Sequence, residues 1–264
     1  MFNILVITDN KLSSLNQCNS VVNELKRISN KKIAVEYIEV YLGLLAYLPN
    51  FLIYFFLKIR YLFEPTKKLD FIISCGRVSA PLNLVLKKKS SAKNCHILNP
   101  YFKKDEFDKI IMPEHDIRNT VEKNVITTFG SLVDLKIFKK KNQKVCKSLA
   151  NKKKKISFFI GGNGKSSKIM FNELNNTIEK LNLLSEEYEV IYCFSRRTPN
   201  YIRDLVKRKA LKKNLFFPQK KNNPYWLLLN ISEYIFVTSD SISMISDSLS
   251  SGKKTYIVPI KKIK

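Results

Sequence analysis

The chain has little of what metal centres and hydrolytic sites are usually made from. Of its 264 residues two are histidine, seven are glycine and 22 are acidic. No paired-carboxylate motif, HExxH, GxSxG or metal-binding acidic cluster occurs, so hydrolase and metal-dependent readings find little support and no metal is expected. The five cysteines, Cys18, Cys75, Cys95, Cys146 and Cys193, are odd in number and scattered without a CxxC pair. Only Cys95 has a histidine beside it, His96. That pattern disfavours a disulfide framework or a zinc site and suits a reducing compartment. No basic segment followed by an apolar core precedes the first strand, so a secretory signal is not expected and a cytoplasmic location is.

Long apolar runs are also missing. The most apolar tract, Leu42 to Phe63, is divided by Pro49-Asn50, and Lys58 and Arg60 end its second half, which leaves pieces too short to span a bilayer. Two readings of this tract stand side by side: an internal helix under a sheet, or an exposed amphipathic patch resting on an anionic membrane surface.

What the chain has in excess is lysine. Lys plus Arg is 47, of which only eight are arginine, and the formal net charge is +25. Such a charge favours anionic partners, whether nucleic acid, acidic lipid or nucleotide phosphates, although a Lys-, Asn- and Ile-rich composition also follows from genomic nucleotide bias. Nucleic acid is the least supported of these, since no helix-turn-helix or aromatic RNA-binding motif is present.

The apolar content of 45% is enough for real cores, and its arrangement is a regular alternation of strands and helices. Strands are predicted at Ile4 to Ile7, Val35 to Val40, Phe71 to Ser74, Cys95 to Leu98, Lys109 to Met112 and Asn124 to Thr128, with helices from about Ser14 and Ser79. A lysine-dominated stretch from Lys136 to Lys155 marks a domain boundary, giving an N-terminal domain over 1–150 and a C-terminal domain over 151–264. The alternation then resumes: strand Ile156 to Ile160, helix Ser166 to Leu184, strand Glu189 to Phe194, helix Asn200 to Lys209, strand Asn214 to Phe217, helix Asn223 to Asn230 and strand Tyr234 to Val237. The fold class expected is α/β, with two Rossmann-like parallel-sheet domains facing each other across a cleft.

Chemistry should gather where strands end in polar or glycine-containing loops. Thr238, Ser239, Asp240, Ser241 and Ser243 crowd the start of a helix carrying Ile242, Ile245 and Leu249. There they either cap backbone N–H groups or help form an anion site at the helix N-terminus. Gly161-Gly162-Asn163-Gly164-Lys165 leaves a strand like a phosphate loop but is not a Walker A motif, because Phe159 stands where that motif needs glycine. It is a plain tight turn, or it presents N–H groups and Lys165 to a diphosphate. Ser195-Arg196-Arg197-Thr198 follows the next strand, and adjacent guanidinium groups match phosphate oxygens or simply sit in solvent. Tyr225 and Trp226 open a further helix as packing groups or as a ring beside a base. In the first half Glu114-His115-Asp116 follows a strand, either as a surface turn or with His115 as a proton acceptor. Arg77, after Gly76, could bind an anionic acceptor or engage locally.

Taken in order, Ser74-Cys75-Gly76-Arg77 with Ser79-Ala80-Pro81, Pro113-Glu114-His115-Asp116, Gly161-Gly162, Ser195 to Pro199, Asn223-Pro224-Tyr225 and Val237 to Ser246 resemble the mitochondrial-fission Elm-type family. Its bacterial members are described as GT-B-like glycosyltransferases. The resemblance covers nearly the whole chain. Two features depart from it. The family's Gly-His pair after the first strand is replaced by Leu12-Ser13-Ser14-Leu15, and the sequence stops at Lys264, where GT-B enzymes continue with a terminal helical segment that braces the domains.

The resemblance implies a metal-independent glycosyltransferase with no cofactor, using a nucleotide-diphosphate sugar as co-substrate. Gly161, Gly162, Lys165, Ser195, Arg196, Arg197, Thr198, Asn223, Tyr225, Thr238, Ser239, Asp240, Ser241 and Ser243 would bind the donor. His115 or Glu114 would serve as base, and Gly76, Arg77, Ser79 and Asp116 would hold the acceptor. An acceptor linked to lipid on the inner face of the cytoplasmic membrane is the extension that the basic surface and the Leu42 to Phe63 tract suggest. The alternative is a non-catalytic membrane-associated adaptor, as in the eukaryotic branch that names the family.

Overall fold

The computed structural model describes residues 1–9, 11–65, 68–117, 122–139, 149, 151–164, 167–218 and 223–261. The chain separates into two compact units, Met1–Asp134 and Leu135–Lys264. This division and the sequence-based boundary at 150 bracket a lysine-rich stretch, much of it outside the described residues.

In the first unit β1 (Phe2–Thr8), α1 (Leu12–Ile28), β2 (Ile33–Glu39), α2 (Asn50–Arg60), β3 (Phe71–Cys75), α3 (Ala80–Ser90), β4 (Lys93–Ile97), β5 (Lys109–Pro113) and β6 (Val125–Thr128) follow one another, with 3-10 turns at Gly43–Tyr47, Arg77–Ser79, Lys104–Glu106 and Glu114–Asp116. The strands form one sheet in the order β2-β1-β3-β4-β5-β6, and every pairing is parallel. The second unit contains α4 (Lys136–Lys139), β7 (Lys155–Ile160), α5 (Phe171–Leu184), β8 (Glu189–Phe194), α6 (Asn200–Lys209), β9 (Leu215–Phe217), α7 (Tyr225–Ile231), β10 (Tyr234–Thr238), α8 (Ile242–Ser250) and β11 (Lys254–Val258). Its sheet runs β11-β10-β7-β8-β9, again parallel throughout.

Strands covered on both faces should read as nearly unbroken apolar runs, and β7, KISFFI, is buried along its whole length. Successive side chains alternate across the sheet, so Phe158 packs with Leu174, Ile178, Ile202 and Val206 of α5 and α6, while Phe159 packs with Leu227, Leu228 and Leu229 of α7. Each of these buried side chains contributes about 1.5–3 kcal/mol to the driving force for folding. Trp226, the chain's one tryptophan, lies edge-on to Tyr225 with ring centroids 5.1 Å apart.

Two boundaries differ from the sequence reading. The helix expected from Ser166 begins at Phe171, where Glu173 Oε2 accepts the Met170 N–H at 3.0 Å, so the glycine turn does not open directly into a helix. The helix expected from Asn223 begins at Tyr225. The Leu42 to Phe63 tract packs against the sheet along one side, as an internal helix would, and is exposed along the other. Ile53 and Leu57 pack inward against Leu5, Ile7 and Ile72, whereas Phe51, Phe55 and Ile59 face outward.

Both sheets contain a point where the direction of winding reverses. The connection after β1 leads to β2 on one side, and that after β3 leads to β4 on the other. In the second sheet the connection after β7 leads to β8, while that after β10 leads the opposite way to β11. Crevices at the carboxyl ends of such strand pairs are the usual binding places of open α/β sheets.

Candidate functional site

Each reversal point brings an aspartate against a glycine. Beyond β10, the Asp240 side chain is fully buried, and a Cβ built on Gly161, at the end of β7, would lie 2.2 Å from either of its carboxylate oxygens. Asp240 Oδ2 accepts the Gly162 N–H at 2.9 Å and lies 3.5 Å from Arg197 Nη2. Its Oδ1 is buried and has no hydrogen-bond partner among the described residues. Beyond β1, the Asp9 side chain is likewise buried, and a Cβ on Gly76, which ends β3, would lie 2.8 Å from Asp9 Oδ2. Gly76 holds φ at +91°, a left-handed conformation that suits glycine. Asp9 pairs with Lys11, and its Oδ1 is again buried without a partner among the described residues.

In the second domain Gly161, Gly162, Arg197, Thr238 and Asp240, among the residues expected on the donor side, meet at this crevice. Gly161 N–H donates to Thr238 Oγ1 at 2.7 Å, and Ser239 Oγ accepts the Ile260 N–H at 2.8 Å. The polar cluster after β10 therefore ties neighbouring strand ends together, and no side chain caps α8 from its N-cap residue, Ser241. Of the two readings of these hydroxyls, capping is therefore not what Thr238, Ser239 and Ser241 do. The expected donation of glycine N–H groups to a diphosphate is corrected too, because those of Gly161 and Gly162 are already bonded within the protein. The loop N–H groups of Asn163 and Gly164 are also bonded, to the Arg197 and Ser167 carbonyls. What these glycines supply is space. A Cβ on Gly162 would fall 2.1 Å from the Arg197 carbonyl oxygen.

Ser195 and Thr198 build the turn that carries the arginines. Thr198 Oγ1 donates to the Ile160 carbonyl at 3.0 Å, Ser195 Oγ accepts the Arg197 N–H at 3.1 Å, and Arg203 donates to the Ser195 carbonyl at 2.7 Å. Arg196 and Arg197 are both exposed above it. With no acidic residue in the first turn of α8 and no cap from the Ser241 side chain, that helix end and the Arg197 guanidinium, 3.5 Å from Asp240, are suited to an anion. Ser243 opens the same helix. Asn223 Oδ1 accepts from Cys193 Sγ at 3.7 Å. The Tyr225 hydroxyl donates to Asp247 Oδ2 at 2.8 Å, and its ring packs on Phe159, so it is committed to packing against α8 and β7. Lys165 lies outside the described residues.

In the first domain Glu114, His115 and Asp116 form the 3-10 turn that follows β5. His115 Nε2 stands 3.8 Å from Asp116 Oδ1, and Glu114 and His115 are exposed. Ser79 is buried, its Oγ donating to the Cys75 and Gly76 carbonyls at 2.8 Å. Arg77 spends its guanidinium locally: Nη1 donates to the Leu48 carbonyl at 3.0 Å and to Asn50 Oδ1 at 2.9 Å, and Nη2 donates to the Ala46 carbonyl.

Three arrangements escaped the sequence reading. Asp9 is the first, and its position after a strand, like that of Asp240, was the available signal. The second is a buried polar chain in which Asn94 donates to Asn83 Oδ1 at 2.6 Å, Asn83 donates to Ser74 Oγ at 2.6 Å, and Ser74 Oγ lies 2.7 Å from His96 Nδ1. Burial lowers the His96 imidazole to about 3. The third is Asp247, whose carboxyl burial pushes up to about 6 against the opposing hydrogen bond from Tyr225. Among the described residues no three His, Cys, Asp or Glu side chains come together as a metal site. Cys18, Cys75, Cys95 and Cys193 are buried free thiols, and Cys146 lies outside the described residues.

Three comparisons place this geometry among known proteins. The uncharacterised protein RP120 of Rickettsia prowazekii (strain Madrid E) is 30% identical over 302 aligned residues, covering 97% of this chain and 82% of that protein. The UDP-GlcNAc 2-epimerase of Neisseria meningitidis, solved with UDP-GlcNAc bound, has a TM-score of 0.56 at 12% identity, over 97% of this chain and 82% of that one. A lipopolysaccharide outer core galactosyltransferase, WaaB in its apo form, has a TM-score of 0.50 at 8% identity, over 97% of this chain and 80% of that one. At these identities the likeness is one of fold, the two parallel-sheet α/β domains of the GT-B-like class. The sequence profile described as Mitochondrial fission ELM1 matches residues 14–264. The chain therefore belongs to the mitochondrial fission ELM1 family.

Proposed function

We propose that the carboxyl-end crest of the second sheet binds the diphosphate of a nucleotide-diphosphate sugar, and that the chain transfers the sugar to an acceptor held by the first domain. The observation that carries this reading is the start of α8, with no acidic residue in its first turn and no cap from the Ser241 side chain, beside the Arg197 guanidinium that reaches Asp240, at the point where winding reverses. Helix N-termini attract anions, and donors fixed in place stabilise charge that grows on a leaving group. The crevice floor, with Gly161 and Gly162 against Asp240 and the Arg197 backbone, keeps that arrangement rigid. The fold shared with the epimerase that binds UDP-GlcNAc and with the galactosyltransferase supports a nucleotide-sugar ligand.

In the reaction an acceptor hydroxyl oxygen attacks the anomeric carbon. The bond from that carbon to the diphosphate oxygen breaks, and its electron pair leaves with the diphosphate. His115, oriented by Asp116, takes the hydroxyl proton, with Glu114 as the neighbouring alternative. Arg196, Arg197, Lys165 and the α8 N-terminus balance the departing charge, so the proposal requires neither a metal nor a cofactor. Asp240 acts as a brace for Gly162 and Arg197. An acceptor linked to lipid on an anionic membrane surface fits the net charge of +25.

The test is a screen of nucleoside diphosphates and their sugars by ligand-induced thermal stabilisation. A ligand at about 100 times its Kd should add about 2.7 kcal/mol. If no nucleotide-sugar stabilises the protein and Arg196→Ala leaves cellular function intact, the transferase reading fails and the adaptor reading takes its place.

A further inference from the structure

We infer that the outer face formed by the Gly43–Tyr47 turn and α2 seats in the interface of an anionic phospholipid bilayer. This surface does not depend on sugar transfer.

The helix NFLIYFFLKIR packs inward through buried Ile53 and Leu57 and partly buried Tyr54. Its other side repeats large apolar groups at four-residue spacing, Phe51, Phe55 and Ile59, each more than half exposed. The preceding turn adds Leu44 and Tyr47 at 86% and 87% exposure, and Phe63 follows at 90%. Scattered apolar residues on a surface are ordinary; a continuous set of this kind marks an interaction face.

Geometry and charge decide what covers it. Eleven residues of helix extend about 16 Å, roughly half the hydrocarbon thickness, and among the described residues no helix is long and apolar enough to cross a membrane. The helix lies flat on its own domain, the orientation of an interfacial helix. Lys58 and Arg60 at its end are exposed and have no carboxylate partner among the described residues. A second copy of this chain would bring like charges together at that rim, on proteins of net charge +25, whereas acidic headgroups complement it. Between turn and helix is a cavity of about 280 Å³, with Leu42, Leu45, Phe56 and Arg60 among its walls. It offers room for part of an acyl chain beside a guanidinium that can meet a phosphate.

Co-sedimentation with vesicles tests this without any nucleotide-sugar. The full chain should pellet with phosphatidylcholine vesicles containing phosphatidylglycerol and stay in solution with phosphatidylcholine alone. Lys58→Glu with Arg60→Glu should weaken partition at least about tenfold, and Phe55→Ser with Phe63→Ser should weaken it comparably, with circular dichroism and Tm unchanged because all four positions are exposed. Amide exchange should slow over residues 43–63 on binding. The inference is overturned if the anionic vesicles leave the protein in solution, if the aromatic variant binds like wild type, or if protection falls elsewhere. It is equally overturned if sedimentation shows a dimer that Phe55→Ser dissolves, since the face then belongs to a second copy.

Discussion

The carboxylate of Asp240 occupies the space that a side chain on Gly161 would need, with both oxygens 2.2 Å from the position of a Cβ there. Gly162 meets an obstacle of a different kind, the backbone carbonyl of Arg197. Gly161→Ala should therefore cost about 1–3 kcal/mol, and Gly162→Ala more, because backbone yields less readily than a side chain. Combining Gly161→Ala with Asp240→Ala should recover part of the loss. Chemical denaturation of the three variants checks this, and strictly additive effects would show that the contact is not the cause.

The two arginines should separate by what they touch. Arg196 has no partner within the fold among the described contacts, so Arg196→Ala should leave the Tm of the free protein unchanged and weaken nucleoside-diphosphate binding about tenfold or more. Arg197 also faces the buried Asp240, so Arg197→Ala should lower both stability and affinity. Thermal shifts with and without UDP distinguish the two.

Acid should act on the two domains in opposite directions. The folded state depresses His96 from 6.5 to about 3, so between those values the unfolded chain binds the extra proton and the first domain loses stability as pH falls. Asp247 is raised from 3.8 to about 6, so its contribution is fully present below about pH 3.8 and is lost as pH rises through about 6. Each shift corresponds to a few kcal/mol, on the order of 1.4 per unit. Asp247→Asn should flatten the pH dependence of the second domain between about 4 and 6, as read by hydrogen exchange.

Arg77 offers a test of a different assignment. Its guanidinium serves the Ala46 and Leu48 carbonyls and Asn50 Oδ1, so Arg77→Ala should destabilise by about 1–3 kcal/mol and loosen the segment from 43 to 50. A variant that keeps its Tm but weakens acceptor binding would instead identify Arg77 as an acceptor contact.

How much of this could be read from the chain depended on range. Parallel strands such as Phe158-Phe159-Ile160 announce themselves because burial on both faces leaves a continuous apolar run, and the order of strands and helices followed directly. The roles of Thr238, Ser239 and Asp240 were not legible. Their partners are Gly161, Ile260 and Gly162, and only the adjacency of β10 to β7 and the course of the chain beyond β11 bring these together. A hydroxyl before a helix looks like a cap until the neighbouring strand is known. The chain from Asn94 through Asn83 and Ser74 to His96 was hidden for the same reason, since isolated polar residues among apolar ones do not reveal that they face each other.

The position of Trp226 turns the second domain into its own optical reporter. Its indole lies against Tyr225, whose hydroxyl is bonded to Asp247, so neutralising that carboxyl changes the field beside the chain's one indole. Tryptophan emission, excited at wavelengths that tyrosine does not absorb, should follow events in the second domain while remaining silent about the first, whose aromatic residues are tyrosine and phenylalanine alone.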